Sequence, residues 1–145
     1  MSETAEWGNV CSRVDTCALT GAAAFFTGIK GAEVLVNGPL WCYFYALRHL
    51  EKSNSRLGER FHGSQPDNNA VVYGTEECLT DALDYIRENR APSILLIENS
   101  CSVSLIGDDI EGIAAKAKLP FSVMGMDSGG LSGGFAEGYS KASIR

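Results

Sequence analysis

Short, almost continuously apolar runs separated by helix-like stretches constrain this chain most. They are AEVLVNG (32–38), AVVYG (70–74), PSILLIENS (92–100) and FSVMGMDS (121–128). Each is too short for a buried helix and is bounded by turn formers, the pattern of a fully buried strand. Strands that do not alternate polar and apolar residues are covered on both faces, as parallel strands are. Between them lie stretches with helical spacing at 17–29, 41–53, 75–90 and 102–118. In the third, Leu79, Ala82, Leu83 and Ile86 share one face, Thr75 supplies a cap, and Glu76 and Glu77 suit the positive end of the helix dipole. Residues 53–69 are polar and rich in turn formers, and read as an exposed loop. The pattern predicts an α/β protein with an open, mainly parallel Rossmann-like sheet flanked by helices.

The 145 residues suffice for one ordinary domain with a real core. A net charge of −6 with no Lys/Arg-rich run leaves no footprint for a phosphate backbone, so nucleic acid is excluded as a partner. The first residues lack a basic and an apolar leader segment, and no run approaches the roughly 20 apolar residues that would span a bilayer. The expectation is a cytoplasmic protein without a membrane partner.

In that compartment the five cysteines are not a disulfide framework. No CxxC pair or zinc-finger spacing occurs either, so any metal site must be assembled from distant segments. Cys17, Cys42 and Cys101 each stand where a strand-like run meets a helix-like run. Open α/β sheets bind ligands at the carboxyl ends of their strands, where Cys42 and Cys101 fall. Cys17 opens a helix, whose N–H groups favour a thiolate. Three thiolates converging there would bind a soft metal centre, and the layout suggests iron and sulfur. The opposing reading is that each cysteine is a small buried hydrophobe. Cys78, inside a helix, is read as core or surface filler, and Cys11 stays open between a non-ligating thiol and an extra ligand.

Gly38 and Pro39 make a sharp turn that aims Cys42 at such a centre, or serve simply as a strand-to-helix turn. Asp108 and Asp109 look like a carboxylate pair but lie where a helix begins, and acids are stabilised there. His49 and His62 lack the spacing of a metal pair. GGLSGGFAEGYSK lacks the Lys-Ser/Thr of a phosphate loop, since Tyr139 follows Gly138, and ATP binding is not supported.

Five blocks together resemble component 1 of nitrogenase and its relatives, the two-component reductases of chlorophyll and coenzyme F430 synthesis. They are C-x-x-x-G-A at 17–22, N-G-P-x-x-C at 37–42, V-Y-G-T-E-x-x-L at 72–79, C-x-x-x-L-I-G-D-D-I at 101–110 and G-L-S-G-G-x-x-x-G at 130–138. The resemblance implies that Cys17, Cys42 and Cys101 hold an iron-sulfur cluster, with Gly38 and Pro39 shaping its surroundings. The cluster would be shared with a second component 1-like subunit or a second copy of this chain. Electrons would come from an ATP-dependent iron-sulfur reductase. Three thiolates leave a 4Fe-4S cluster one ligand short, whereas two facing copies would offer six to a P-cluster-like 8Fe cluster. Trp41 and Asn37 depart from the family pattern beside Cys42, and Tyr139 stands where dinitrogen-reducing subunits have a histidine, which points away from nitrogen fixation. The implied role is a cluster-binding electron-transfer domain of an oxidoreductase. A cofactor-assembly scaffold and a cluster-free interaction module are the alternatives. By the same resemblance, residues 1–145 form the N-terminal domain of a longer subunit, inactive alone and prone to self-association.

Overall fold

A computed structural model describes residues 16–144, so Cys11 lies outside the described residues. Four parallel strands form one sheet in the order β2-β1-β3-β4, with β1 at Ala32–Asn37, β2 at Phe61–Gly63, β3 at Ile94–Asn99 and β4 at Ser122–Asp127. The helices are α1 (Ala18–Thr27), α2 (Leu40–Leu50), α3 (Asn68–Tyr73), α4 (Glu76–Asn89), α5 (Cys101–Ile106), α6 (Ile110–Lys116) and α7 (Phe135–Ser143). Among them no helix is long and apolar enough to cross a membrane.

The pleat sends alternate strand residues into two cores. On one face Val34, Val36, Leu96 and Met126 pack with Leu19, Ala22 and Phe26 of α1, Ala46 of α2 and Ala142 of α7. On the other, Leu35, Leu95 and Ile97 meet Leu79, Leu83 and Ile86 of α4 and Ile110 and Ile113 of α6. The expected apolar face of α4 is therefore the one that packs on the sheet, and the continuous apolarity of β1 and β3 follows from burial on both sides. Within the second core layer the Glu33 side chain is buried, held by the Arg90 guanidinium at 2.7 and 2.9 Å and by His62 Nε2 at 2.6 Å. Burial of an acid in a core calls for pairing of this kind.

Three expectations are corrected. The AVVYG run is not a strand but most of α3. Asp67 caps that helix by accepting from Ala70 N–H at 2.8 Å, and only Ala70 is buried. The sheet position it was to fill belongs to β2, inside the segment read as a loop. Phe61 inserts into the core there and β1 supplies the pairing. The helix over 102–118 is two helices, because Gly107 adopts a left-handed conformation (φ 79°) that ends α5.

Candidate metal centre

The chain leaves β1 toward β2 on one side of the sheet and β3 toward β4 on the other, so the crevice between the carboxyl ends of β1 and β3 is the topological switch point. The loops that carry Cys42 and Cys101 both leave from that crevice. They touch: a Cβ on Gly38 would stand 2.5 Å from both Cβ and Oγ of Ser100. Pro39 then sets the extended N-cap of α2 (φ −60°), which puts Cys42, third in the helix, in its first turn.

The glycine-rich segment after β4 brings in the other two thiols. A Cβ on Gly129 would meet Cys101 N at 2.6 Å, and the Gly130 N–H donates to Cys101 Sγ at 2.8 Å. A Cβ on Gly130 would lie 3.5 Å from Cys101 Sγ and 3.6 Å from Cys17 Cβ. Cys17, the N-cap of α1, bridges to Gly134, and the Ala18 N–H donates to Gly133 O at 3.0 Å. Cys17, Cys42 and Cys101 thus come from three separate segments to one end of the sheet.

Burial pushes the Cys42 thiol up, and the neighbouring thiols of Cys17 and Cys101 push it further. A metal bound to Cys42 would displace that proton. Among the described residues, no three His, Cys, Asp or Glu side chains close round a single metal ion. Three thiols from separate segments are the donor chemistry that iron-sulfur clusters take, so the residues present fit such a group.

The described buried side-chain atoms without a close hydrogen bond are Thr16 Oγ1, both Glu98 carboxyl oxygens and Ser128 Oγ. Of these, the Ser128 hydroxyl lies beside the Glu98 carboxyl.

On the opposite face, a hydrogen-bonded ladder ties the strand ends together. Ser64 Oγ donates to Asn37 Oδ1 at 2.7 Å, Asn37 Nδ2 donates to Asn99 Oδ1 at 3.0 Å and to Thr75 Oγ1 at 3.1 Å, and Asn99 Nδ2 donates to Asp127 Oδ1 at 2.9 Å. Asp108 Oδ2 accepts from the Thr75 N–H at 2.6 Å and from Thr75 Oγ1 at 2.7 Å. Asn37 and Thr75 are fully buried. This ladder sets how the cysteine-bearing loops sit relative to one another. Replacing Asn37 with Ala strands its three partners and should cost about 1–3 kcal/mol. Urea unfolding reads the loss, and an unchanged midpoint would show the ladder to be dispensable.

Sequence reasoning missed the ladder. Thr75 makes no side-chain cap bond and instead bonds Asp108, while Asp109 alone caps α6, accepting from Gly112 N–H at 3.0 Å. The available signal was Asn at the end of two apolar strands, positions that prove to be paired as Asn37 and Asn99. Cys78 stands apart from the three thiols, beside a different cavity of about 490 Å³ that also contacts His62, Asp81 and Tyr85. His49 packs against Phe135, with ring centroids 6.0 Å apart.

Residues 17–143 match the family model of the nitrogenase component 1 type oxidoreductases. The chain is 29% identical over 130 residues to the nitrogenase iron-molybdenum cofactor biosynthesis protein NifE of Methanosarcina barkeri, covering 87% of this chain and 28% of that protein. It is 33% identical over 110 residues to the nitrogenase molybdenum-iron protein alpha chain of the same organism, covering 70% and 20%. The Ni-sirohydrochlorin a,c-diamide reductive cyclase component CfbD of Methanothermobacter thermautotrophicus is 27% identical, with 81% and 31% covered. A solved structure titled nitrogenase Cp1 at pH 5 superposes with a TM-score of 0.74 at 25% identity, over 88% of this chain and 28% of that one. The chain thus spans less than a third of the length of these relatives. With its parallel sheet, its switch-point thiols and this match over nearly all of its length, the chain belongs to the nitrogenase component 1 type oxidoreductase family.

Proposed function

We propose that this chain is the iron-sulfur-binding, electron-relaying domain of a two-component oxidoreductase, with Cys17, Cys42 and Cys101 as its protein ligands. The observation that carries this reading is the delivery of three thiols from separate segments to the end of the sheet at the switch-point crevice. When bound there, an iron-sulfur cluster supplies one-electron chemistry. The chain's own residues hold and shape it: Gly38 and Pro39 place the first turn of α2, and the Gly130 N–H stabilises negative charge on Cys101 Sγ.

Leu40, Trp41, Phe44 and Tyr45 on α2 and Leu131 beyond Gly130 are exposed around the thiols. An apolar rim beside an open half-site suits a second subunit or a second copy supplying the remaining ligands. An ATP-dependent iron-sulfur reductase is the electron donor in this reading, and the subunit continues beyond this domain. A second reading, a scaffold on which a metallocofactor is assembled, is favoured by the similarity to cofactor biosynthesis proteins.

The test is anaerobic iron and sulfide quantitation on the reconstituted chain and its Cys→Ser variants. Cys17→Ser, Cys42→Ser and Cys101→Ser should each lose most of the bound iron, and Cys78→Ser none of it. Iron that survives all three substitutions, or a folded wild type that takes up none, removes the reading. Release of bound iron and sulfide to a second protein, rather than retention through redox cycles, would favour the scaffold.

A further inference from the structure

Cys101 differs from the other two thiols in its surroundings. Among the described residues, the one hydrogen bond that ends on a cysteine sulfur runs from the Gly130 N–H to Cys101 Sγ, at 2.8 Å. Gly130 also stands between two of the thiols, since a Cβ there would lie 3.5 Å from Cys101 Sγ and 3.6 Å from Cys17 Cβ. The donor is a main-chain group, so its aim is set by the turn that carries it and not by a rotamer.

That turn is tied on both sides. Toward β4, Ser132 Oγ donates to the Asp127 carbonyl at 3.0 Å and the Ser132 N–H donates to the Gly129 carbonyl at 2.8 Å. Toward α1, the Gly133 carbonyl accepts from the Ala18 N–H at 3.0 Å. The turn closes onto Cys101 only because residue 129 is glycine. A Cβ there would stand 2.6 Å from Cys101 N, 2.8 Å from its Cα and 2.9 Å from its Sγ. No flexible side-chain end lies among those atoms, so a side chain at 129 must push the turn, and the Gly130 N–H with it, away from the sulfur.

An N–H is a stronger donor to an acceptor that carries more negative charge, and hydrogen bonds to the sulfurs are among the factors that set an iron-sulfur potential. Reduction adds one electron to such a centre. A donor already fixed against the Cys101 sulfur therefore favours the reduced state and needs no rearrangement to do so.

We propose that Gly130 is a positioning residue of the three-thiol centre, its N–H held against Cys101 by the turn that Gly129 permits, and that this bond makes the centre easier to reduce. The proposal rests on the iron-sulfur reading above, whose ATP-dependent reductase supplies the electron. It deepens that reading by making Cys101 unlike Cys17 and Cys42, and by placing the control of the potential in the segment after β4. It also separates the two glycines. Residue 130 supplies a backbone donor that any residue but proline carries, whereas residue 129 has to lack a side chain.

The experiment reads pulsed electron paramagnetic resonance and redox titration on the 145-residue chain, reconstituted anaerobically with ferrous iron and sulfide and poised with dithionite in a paramagnetic state. With the heavy nitrogen isotope supplied in glycine, the wild type should show hyperfine coupling to a glycine nitrogen and to an exchangeable proton. In Gly130→Ala the coupling should vanish from glycine-labelled protein and return when alanine carries the label, which assigns it to residue 130. Gly129→Ala should bind iron, lose the coupling and titrate at a more negative midpoint. Ser132→Ala, which only loosens the turn, should weaken the coupling and move the midpoint the same way by less.

A loaded wild type without glycine-nitrogen coupling overturns the proposal and leaves the iron-sulfur reading standing. So does a midpoint that stays put while the coupling weakens or disappears, the result expected of glycines that merely shape the turn. Absence of iron uptake by the wild type overturns both readings. If Gly129→Ala failed to fold or to load, the wild type and Ser132→Ala would still decide.

Discussion

Gly21→Ala and Gly138→Ala should each destabilise the protein by about 3 kcal/mol or more, although alanine is the better helix former by about 1 kcal/mol. The two glycines face each other's backbones where α1 and α7 cross. A Cβ on Gly21 would land on the carbonyl oxygen of Phe135 and 2.9 Å from Tyr139 N, and a Cβ on Gly138 would land on the carbonyl oxygen of Ala18. No rotamer change can relieve a clash with backbone, so the helices must separate, and the packing of Leu19, Ala22 and Ala142 separates with them. Because Ala18 N–H and Cys17 are tied to Gly133 and Gly134, just before α7, the shift also moves a thiol out of the centre. Thermal melts followed by circular dichroism measure the first effect and iron content the second. Gly58→Ala is the control, since nothing lies within 4 Å of its Cβ position. Melting as high as the control would mean that the close crossing is not what holds α1 in place.

The second large effect is a pH dependence of the iron-free protein. The folded-state pKa of Glu98 is raised well above the ordinary value of 4.5, chiefly by burial, so between those two pH values the folded protein holds a proton that the unfolded chain has released. Stability contributed by that proton is fully present below the unfolded value and declines as pH rises toward the folded one. The slope approaches about 1.4 kcal/mol per pH unit. No charged neighbour contributes to the shift, which leaves burial as its dominant cause. Urea midpoints at a series of pH values from 5 to 8 should therefore fall with rising pH in the wild type and fall less steeply in Glu98→Gln. Parallel curves for the two proteins would mean that the carboxyl is already ionised in the fold. Above the ordinary thiol value of 9.0, the raised Cys42 thiol adds a decline of the same sign.

Much of this architecture could be read from local pattern. β1 and β3 stand out because a parallel strand covered on both faces is apolar along most of its length, a property of the residues themselves, and β4, a partly exposed edge strand, because of its short apolar run. The placement of Cys42 and Cys101 followed from the general rule that the carboxyl ends of such strands form the site, and Cys17 was legible as a helix-opening residue. β2 was not legible. Its three residues contain a single core side chain, Phe61, and their extended shape comes from hydrogen bonding to β1, a partner distant in sequence. The AVVY run misled for the complementary reason. Its apolar residues satisfy a strand pattern, but Asp67 starts a helix just before them, and Val71, Val72 and Tyr73 remain exposed.

The site divides along the same line. The position of the three cysteines at joints between strand and helix, and the turn at Gly38–Pro39, could be read from chain order alone. What Asn37, Thr75 and Asp108 do could not, because each acts through an element 33 or more residues away. Residue type and spacing by themselves determined the layer class, three of the four strands and which thiols face the carboxyl edge, since these depend on burial and local turn chemistry. Only the tertiary structure decided the edge strand, the helix pair joined at Gly21 and Gly138, the polar ladder and the buried acid. Those features are set by which distant groups are brought within hydrogen-bonding or van der Waals reach when the two faces of the sheet are covered.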